Sequence, residues 1–348
     1  MLYQVVEPLC AMSSLMGGTW SADKFEGWTR IILQNAVHDA VCGVSIDQVH
    51  EKMEFSYRKI FAEMTAEIEA QLPFVMSPLA SGRYAVNTTP AAYEKWLRLE
   101  DELIHVESDQ LGVMLLPQGQ PIHEPNLKTD TFSWQNDYYS AEISADGILT
   151  VDGVNFGQIT ISQENGDTYS DETGEVIGVL KPSAALTLIA QTDSYAEVAC
   201  NGRFELADGY VESTVRYTFD PSPIVGVQVD LDSRGVNFHV EMQLENGPEG
   251  DIWAGMPFDR VKRPLNDTDL LPRQLDEGLS KIMMGQRELN VMNTYPMHGF
   301  VGRADSGRSA TVFSRGIRSY RSLDDGTLNI SLRRSVEWVT EGNLTNRI

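Results

Sequence analysis

The apolar period of this chain changes once, near Pro73, and that change limits the folds open to it. Ahead of Pro73, hydrophobic residues recur at the spacing of one helix face. Behind it they alternate with polar residues, as in strands with one buried face. A chain written this way cannot be one uniform bundle or one uniform barrel.

The leading segment reads as three amphipathic helices. Leu9, Met12 and Leu15, with Met16, line one face of a short helix that stops at Gly17-Gly18. Leu2 to Leu9 already reads as the inside of an element. Ser21 is an N-cap residue for a second helix, in which Trp28, Ile31, Ile32, Asn35 and Ala36 follow helical spacing. Ser45 and Gln48 have the spacing of a capping box for a third. Ile46, Val49, Met53, Ile60, Met64 and Ile68 form its stripe, with Pro73 expected just past its end.

Farther along, Val236, Phe238, Val240, Met242 and Leu244 alternate with polar neighbours, as do Leu328, Ile330 and Leu332. Turn signals recur at Asp146-Gly147, Asp152-Gly153, Asn165-Gly166, Asn246-Gly247 and Asp325-Gly326. The expected fold class is multidomain α+β: an N-terminal three-helix bundle followed by a large antiparallel β-sandwich, supersandwich-like in extent. The expected domains are a bundle over 1–76, a small β segment and linker over 77–128, and the sandwich over 129–348. Ala91 to Glu102 reads equally as helix or strand, and Gln118 to about Lys128 as a polar, Pro-bearing connector.

Charge excludes some partners. A formal net charge of -23 over 348 residues leaves no basic footprint for nucleic acid or for an anionic membrane. No apolar run reaches transmembrane length, and no leader peptide is visible, which fits a cytoplasmic, bacterial protein. Cys10, Cys42 and Cys200 are odd in number and unpaired in spacing, so neither a disulfide framework nor a thiolate zinc site is expected. Asn87, Asn266, Asn329 and Asn343 sit in glycosylation sequons of the kind that arise by chance. Homo-oligomerisation is compatible with a large sandwich, which can bury strand edges between subunits.

Several chemical motifs read as decoys. Asp230 to Glu241 nearly matches a calcium loop, but Arg234 stands where an oxygen ligand is required and the flanks alternate as strands; strand-turn-strand is expected. No nucleophile elbow, His-Glu-x-x-His, phosphate loop or dinucleotide fingerprint is present. Asp167, Asp171 and Glu172 surround Tyr169 in an acidic loop that suits a cation, a sugar, or simply solvent. His38-Asp39 falls between two helices, where side chains can enter a cleft while the backbone stays anchored. An imidazole is a common zinc ligand and a neighbouring carboxylate can orient it. By spacing alone, an ordinary surface or core histidine is the stronger reading.

The run Trp28-x-x-Ile-Ile-Leu-Gln-Asn-Ala-Val-His-Asp-Ala-Val-Cys-Gly-Val-Ser-Ile-Asp-Gln-Val-His50 resembles glycoside hydrolase family 38, the α-mannosidases, especially the bacterial branch with mannosylglycerate hydrolases. Glu7 to Gly18 is similar to the family's helix entering the middle domain. Gly147-Ile-Leu-Thr-Val151, Gly166-Asp-Thr-Tyr169, Tyr295-Pro-Met-His298, Gly316-Ile-Arg-Ser-Tyr320 and Leu332-Arg-Arg-Ser-Val336 follow the family's order. Ser319, where an acid is expected, and Ser233 to His239, without the usual basic run, depart from it.

The resemblance implies a zinc-dependent retaining glycosidase built from a catalytic barrel, a three-helix bundle and β-sandwich domains. It makes His38 a ligand of Zn2+ and Asp39 a contact for mannose hydroxyls, with an α-mannoside, a mannosylated small molecule or a glycan as substrate. Retaining chemistry needs two carboxyl groups about 5 Å apart, and in the family both come from the barrel. No barrel motif is visible, so the chain is expected to be an internal or truncated portion, with no catalytic residue of its own and no activity alone. The alternative is a non-catalytic carbohydrate-binding or scaffolding protein.

Overall fold

The computed structural model describes residues 1–41, 43, 45–123, 125–166, 171–263 and 294–336, and the backbone of 338–339 and 342–343. It divides into two compact units, Met1–His123 and Glu124–Ile348. Among the described residues, most of the regular structure is antiparallel strand and the helices stand at the N-terminus.

In the first unit, a π-helical turn at Leu2–Val6 runs directly into α1, Glu7–Leu15. The expectation that Leu2 to Leu9 lies inside an element is met. The expected stripe of α1 is not: Leu15 and Met16 are exposed, while Leu2, Val6, Leu9, Cys10 and Ser13 are buried. The extra N-terminal turn shifts the buried face by adding Leu2 and Val6 to the apolar side.

α2 spans Ala22–Asn35, α3 His38–Val41 and α4 Asp47–Met76. Trp28 on α2 and Ile60 and Met64 on α4 close a small core with Leu2, Val6 and Cys10. Ser21 does hold the N-cap position of α2, in extended conformation, though its side chain makes no capping bond. The Ser45–Gln48 capping box does not form, because α4 begins one residue later with Ile46 as its N-cap. Ser45 instead closes the preceding turn, donating its N–H to the Asp39 carbonyl at 3.2 Å. Ile46 and Val49 are exposed, so the buried stripe of α4 begins only at Ile60. Pro73 lies inside α4 rather than beyond it. A proline costs a helix one N–H and a ring clash, and α4 ends within one turn of it.

Polar residues extend the α4 stripe inward. Gln71 Nε2 donates to Glu67 Oε1 at 2.6 Å and to the Thr19 carbonyl at 3.1 Å, while Ser13 Oγ donates to Gln71 Oε1 at 2.5 Å. Lys24 pairs with the buried Glu67 carboxylate. These bonds satisfy groups whose burial would otherwise cost about 1–3 kcal/mol each.

The ambiguous stretch after Ala91 is a strand, Tyr93–Leu99, paired with Glu102–Ser108. The presumed connector carries short strands at Gln120–Pro121 and Leu127–Thr129. Asn87 is buried and its Nδ2 donates to the Ala91 and Gln110 carbonyls, so this sequon does not present its amide to solvent.

The second unit is built on three antiparallel sheets of nine, six and four strands. The nine-stranded sheet contributes Ile143, Ile159, Ile161, Val240 and Met242 to one apolar layer, and the six-stranded sheet contributes Leu186, Val198, Val211, Val215, Tyr217 and Phe219. This face-to-face packing is that of a β-sandwich. The strand Gly209–Phe219 shows the expected alternation, with Val211, Ser213, Val215, Tyr217 and Phe219 buried. A second apolar layer joins Leu244, Tyr320, Leu328 and Ile330 of the large sheet to Ile252, Ala254 and Val301 of the four-stranded sheet. The calcium-like segment is strand-turn-strand, with Gly226–Arg234 and Phe238–Glu245 in different sheets.

Candidate functional site

α3 is only four residues long, and His38 and Asp39 are its first two. Main-chain bonds from Ala40 and Val41 back to the Val37 carbonyl wind this turn, and the Ser45 bond to Asp39 closes it. The pair is thus fixed by backbone while its side chains project outward. The His38 imidazole is 89% exposed and Asp39 58% exposed, with His38 Nε2 2.9 Å from Asp39 Oδ1. A carboxylate against one ring nitrogen orients the imidazole and leaves the other nitrogen for a ligand. The flanking chain exposes Leu33, Val37, Val41, Ile46 and Val49 as well.

Catalytic zinc generally takes about three protein ligands and keeps one open position. His38 and Asp39 offer one imidazole and one carboxylate. Among the described residues, the groups able to bring three ligand atoms together are Glu94, His105, Glu107 and Glu164, Asp171, His239, neither of which includes the pair. The donors present therefore fit part of a zinc shell.

The sequence also offered an acidic loop. Asp167 and Tyr169 lie outside the described residues. Asp171 does not behave as a solvated turn residue: its oxygens accept from Thr173 Oγ1 at 2.8 Å and Thr294 Oγ1 at 2.7 Å. Burial pushes this carboxyl up, but the bonds from Thr294 and Thr173 more than offset it and hold Asp171 below the usual carboxylate range.

Around Asp171 lies a buried ionic centre that sequence reading missed. Arg334 forks onto Glu164, and Glu164 Oε1 also accepts the backbone N–H groups of Gly166 and Glu172 at 2.8 and 3.1 Å. Arg321 forks onto the fully buried Glu241, which accepts Asn329 Nδ2 at 3.0 Å. His239 is set between Thr173 Oγ1 at 2.9 Å and Ser331 Oγ at 2.7 Å. Thr173 gives its only hydroxyl proton to Asp171, so it accepts from His239 Nδ1–H, while the Ser331 hydroxyl lies against Nε2. Burial pulls His239 below the ordinary imidazole range despite the raising influence of Glu241 and Asp171. With Arg334 across both oxygens of Glu164 and a threonine hydroxyl on each oxygen of Asp171, this buried cluster is a satisfied network rather than a metal site.

The usable signal was the alternation itself. His239, Glu241 and Gln243 interleave with Phe238, Val240 and Met242, and the strand is buried from Phe238 to Leu244. Alternation reports two faces; it does not report whether the second meets water. The structure also brings the late sequence signatures together: Tyr295 stands opposite Tyr320, and Tyr320 opposite Ile330, on adjacent strands.

Burial pushes the thiols of Cys10 and Cys200 up to about 11, so neither is a nucleophile at neutral pH. Cys42 lies outside the described residues. No helix among the described residues is long and apolar enough to cross a membrane.

This arrangement of N-terminal helices and stacked antiparallel sheets is the fold seen in glycoside hydrolase family 38 structures. An α-mannosidase from Enterococcus faecalis V583 superposes over 99% of the chain with a TM-score of 0.71 at 15% identity. A glycosyl hydrolase family 38 protein from Enterococcus faecalis gives a TM-score of 0.68 over the same share at 14% identity. The chain spans about half of each, 51% and 52%. In sequence, 71 residues are 32% identical to a protein of Halalkalibacterium halodurans whose assigned name is mannosylglycerate hydrolase, covering 20% of this chain and 8% of that protein. No family model matches the sequence.

Proposed function

We propose that this chain is the helical and β-sandwich portion of a zinc-dependent retaining α-mannosidase, acting on terminal α-mannosyl residues once joined to a catalytic domain. The observation that carries the reading is the fold match over 99% of the chain to an α-mannosidase of about twice its length. The exposed His38–Asp39 pair, on a backbone-pinned turn with exposed apolar residues before and after it in the chain, supports it from the chemistry. In this reading α1, α2 and α4 are the three-helix middle domain, and its exposed face meets the catalytic domain.

The zinc, when bound, would hold and polarise sugar hydroxyls. His38 contributes one imidazole nitrogen toward it. Asp39 orients that ring and accepts hydrogen bonds from mannose hydroxyls. Hydrolysis with retention needs a nucleophilic carboxylate and an acid/base carboxyl about 5 Å apart. A single carboxylate stands at the pair, and in this reading the catalytic domain supplies the carboxyl groups that cleave the bond.

Two measurements test this. The chain alone should not turn over an aryl α-mannoside, and robust turnover would overturn the assignment of its role. In the protein with a contiguous catalytic domain, His38→Ala should lower bound zinc and activity together. Unchanged zinc content would remove His38 from the ligand set.

A further inference from the structure

The hairpin Tyr93–Leu99 and Glu102–Ser108 carries a second metal-capable group, unrelated to His38. Its register sets Glu94 directly opposite Glu107 and Trp96 directly opposite His105. Like charges directly opposite each other destabilise a strand pair, and a cation between them would relieve that repulsion. His105 lies on the same face, two residues before Glu107. Its ring stacks on Trp96 with centroids 4.7 Å apart, which fixes its plane. Nε2 is 3.2 Å from Glu94 Oε1 and Nδ1 is 3.4 Å from Glu107 Oε1.

We propose that Glu94, His105 and Glu107 form a surface site for a divalent transition ion of the zinc class. One donor atom from each of the three lies within 4.8 Å of the others. Ligands about 2.0–2.1 Å from a tetrahedral ion stand about 3.3 Å apart, and either separation, Glu94 from Nε2 or Glu107 from Nδ1, is close to that. A single ring gives an ion only one nitrogen, so one glutamate must swing from its present nitrogen to the other side of the ion. Both can, being 73% and 68% exposed, whereas His105 at 30% is the fixed ligand. Calcium and magnesium favour all-oxygen shells, while an imidazole beside carboxylates suits zinc. Water completes the shell.

The competing occupant is the proton: a charged His105 would neutralise the two carboxylates without any metal. Zinc titration by calorimetry at pH 7.5 separates the two, using the full chain in a His38→Ala background so that the proposed catalytic-zinc ligand is silent. The expected result is one zinc equivalent bound, lost on adding His105→Gln and weakened at least tenfold by Glu94→Gln or by Glu107→Gln. Nickel or copper should quench part of the tryptophan fluorescence, and Trp96→Phe should remove that quenching while leaving zinc binding in place. Absence of binding in the His38→Ala protein, or binding that His105→Gln leaves unchanged, overturns the proposal. Neither result bears on His38, whose own loss of zinc is read in the joined enzyme.

Discussion

Arg334 lies over Glu164 with its Nε 2.8 Å from Oε2 and its Nη2 3.0 Å from Oε1, joining residues 170 positions apart in the chain. Glu164 is fully buried, and the same carboxylate accepts the backbone N–H groups of Gly166 and Glu172. One ion pair thus ties the strand Leu328–Ser335 to the end of the strand Val154–Glu164.

Removing one partner of a buried pair leaves a stranded charge, at a cost of about 3–5 kcal/mol. Arg334→Met should lower the unfolding free energy by about that much in urea denaturation. Adding Glu164→Gln should recover part of the loss, since the stranded charge is then gone. A loss below about 1 kcal/mol in the single variant would contradict the pairing.

The buried His239 ring makes stability depend on pH. Its folded pKa lies below the ordinary 6.5, so the unfolded chain takes up this proton first as pH falls. The unfolded state then binds more protons, and stability rises with pH across the window between the two values. The contribution is complete above about 6.5 and is lost as pH drops below it. Glu241, Asp171, Arg321 and Glu164 surround the ring and set the depth of the effect. Unfolding free energies from pH 7.5 to 5.5 should fall more steeply for the native chain than for His239→Gln, and parallel slopes would refute this.

Gly157 is required by space as well as by backbone. Its φ is 107°, and a Cβ there would stand 2.1 Å from the Tyr217 hydroxyl, which donates to the Gly147 carbonyl at 2.9 Å. Gly157→Ala should therefore cost about 2–4 kcal/mol, from backbone strain together with the displaced hydrogen bond. Gly153, with φ 85° and nothing within 4 Å of its would-be Cβ, provides the control. Its change to Ala should cost about 1–2 kcal/mol. Equal melting temperatures for the two variants would contradict the steric argument.

His38→Ala should leave the stability of this chain within about 0.5 kcal/mol, as exposed substitutions do. The ring is 89% exposed and, among the described residues, pairs with Asp39. Thermal unfolding checks this directly. A large loss would make His38 structural and weaken its proposed role at zinc.

The sequence was most legible where structure is local. Asp152-Gly153 forms the two-residue turn its residue types demand, with φ values of 47° and 85° that these residues tolerate. The strand-turn-strand nature of Asp230 to Glu241 followed from alternation and one misplaced arginine. Ser45–Gln48 failed because a capping box depends on which residue the helix starts from, and the turn after α3 delays that start to Asp47.

By itself, then, the sequence determined the kind of each long element, the division into leading helices and later sheets, and the resemblance centred on His38-Asp39. Those rest on period and turn chemistry, which act over a few residues. Tertiary structure alone decided that Leu15 faces outward while Ser13 and Gln71 face inward, and that His239 and Glu241 are enclosed with Arg321 and Asn329. Burial of a polar face depends on what another, distant strand brings against it, and no local pattern records that partner.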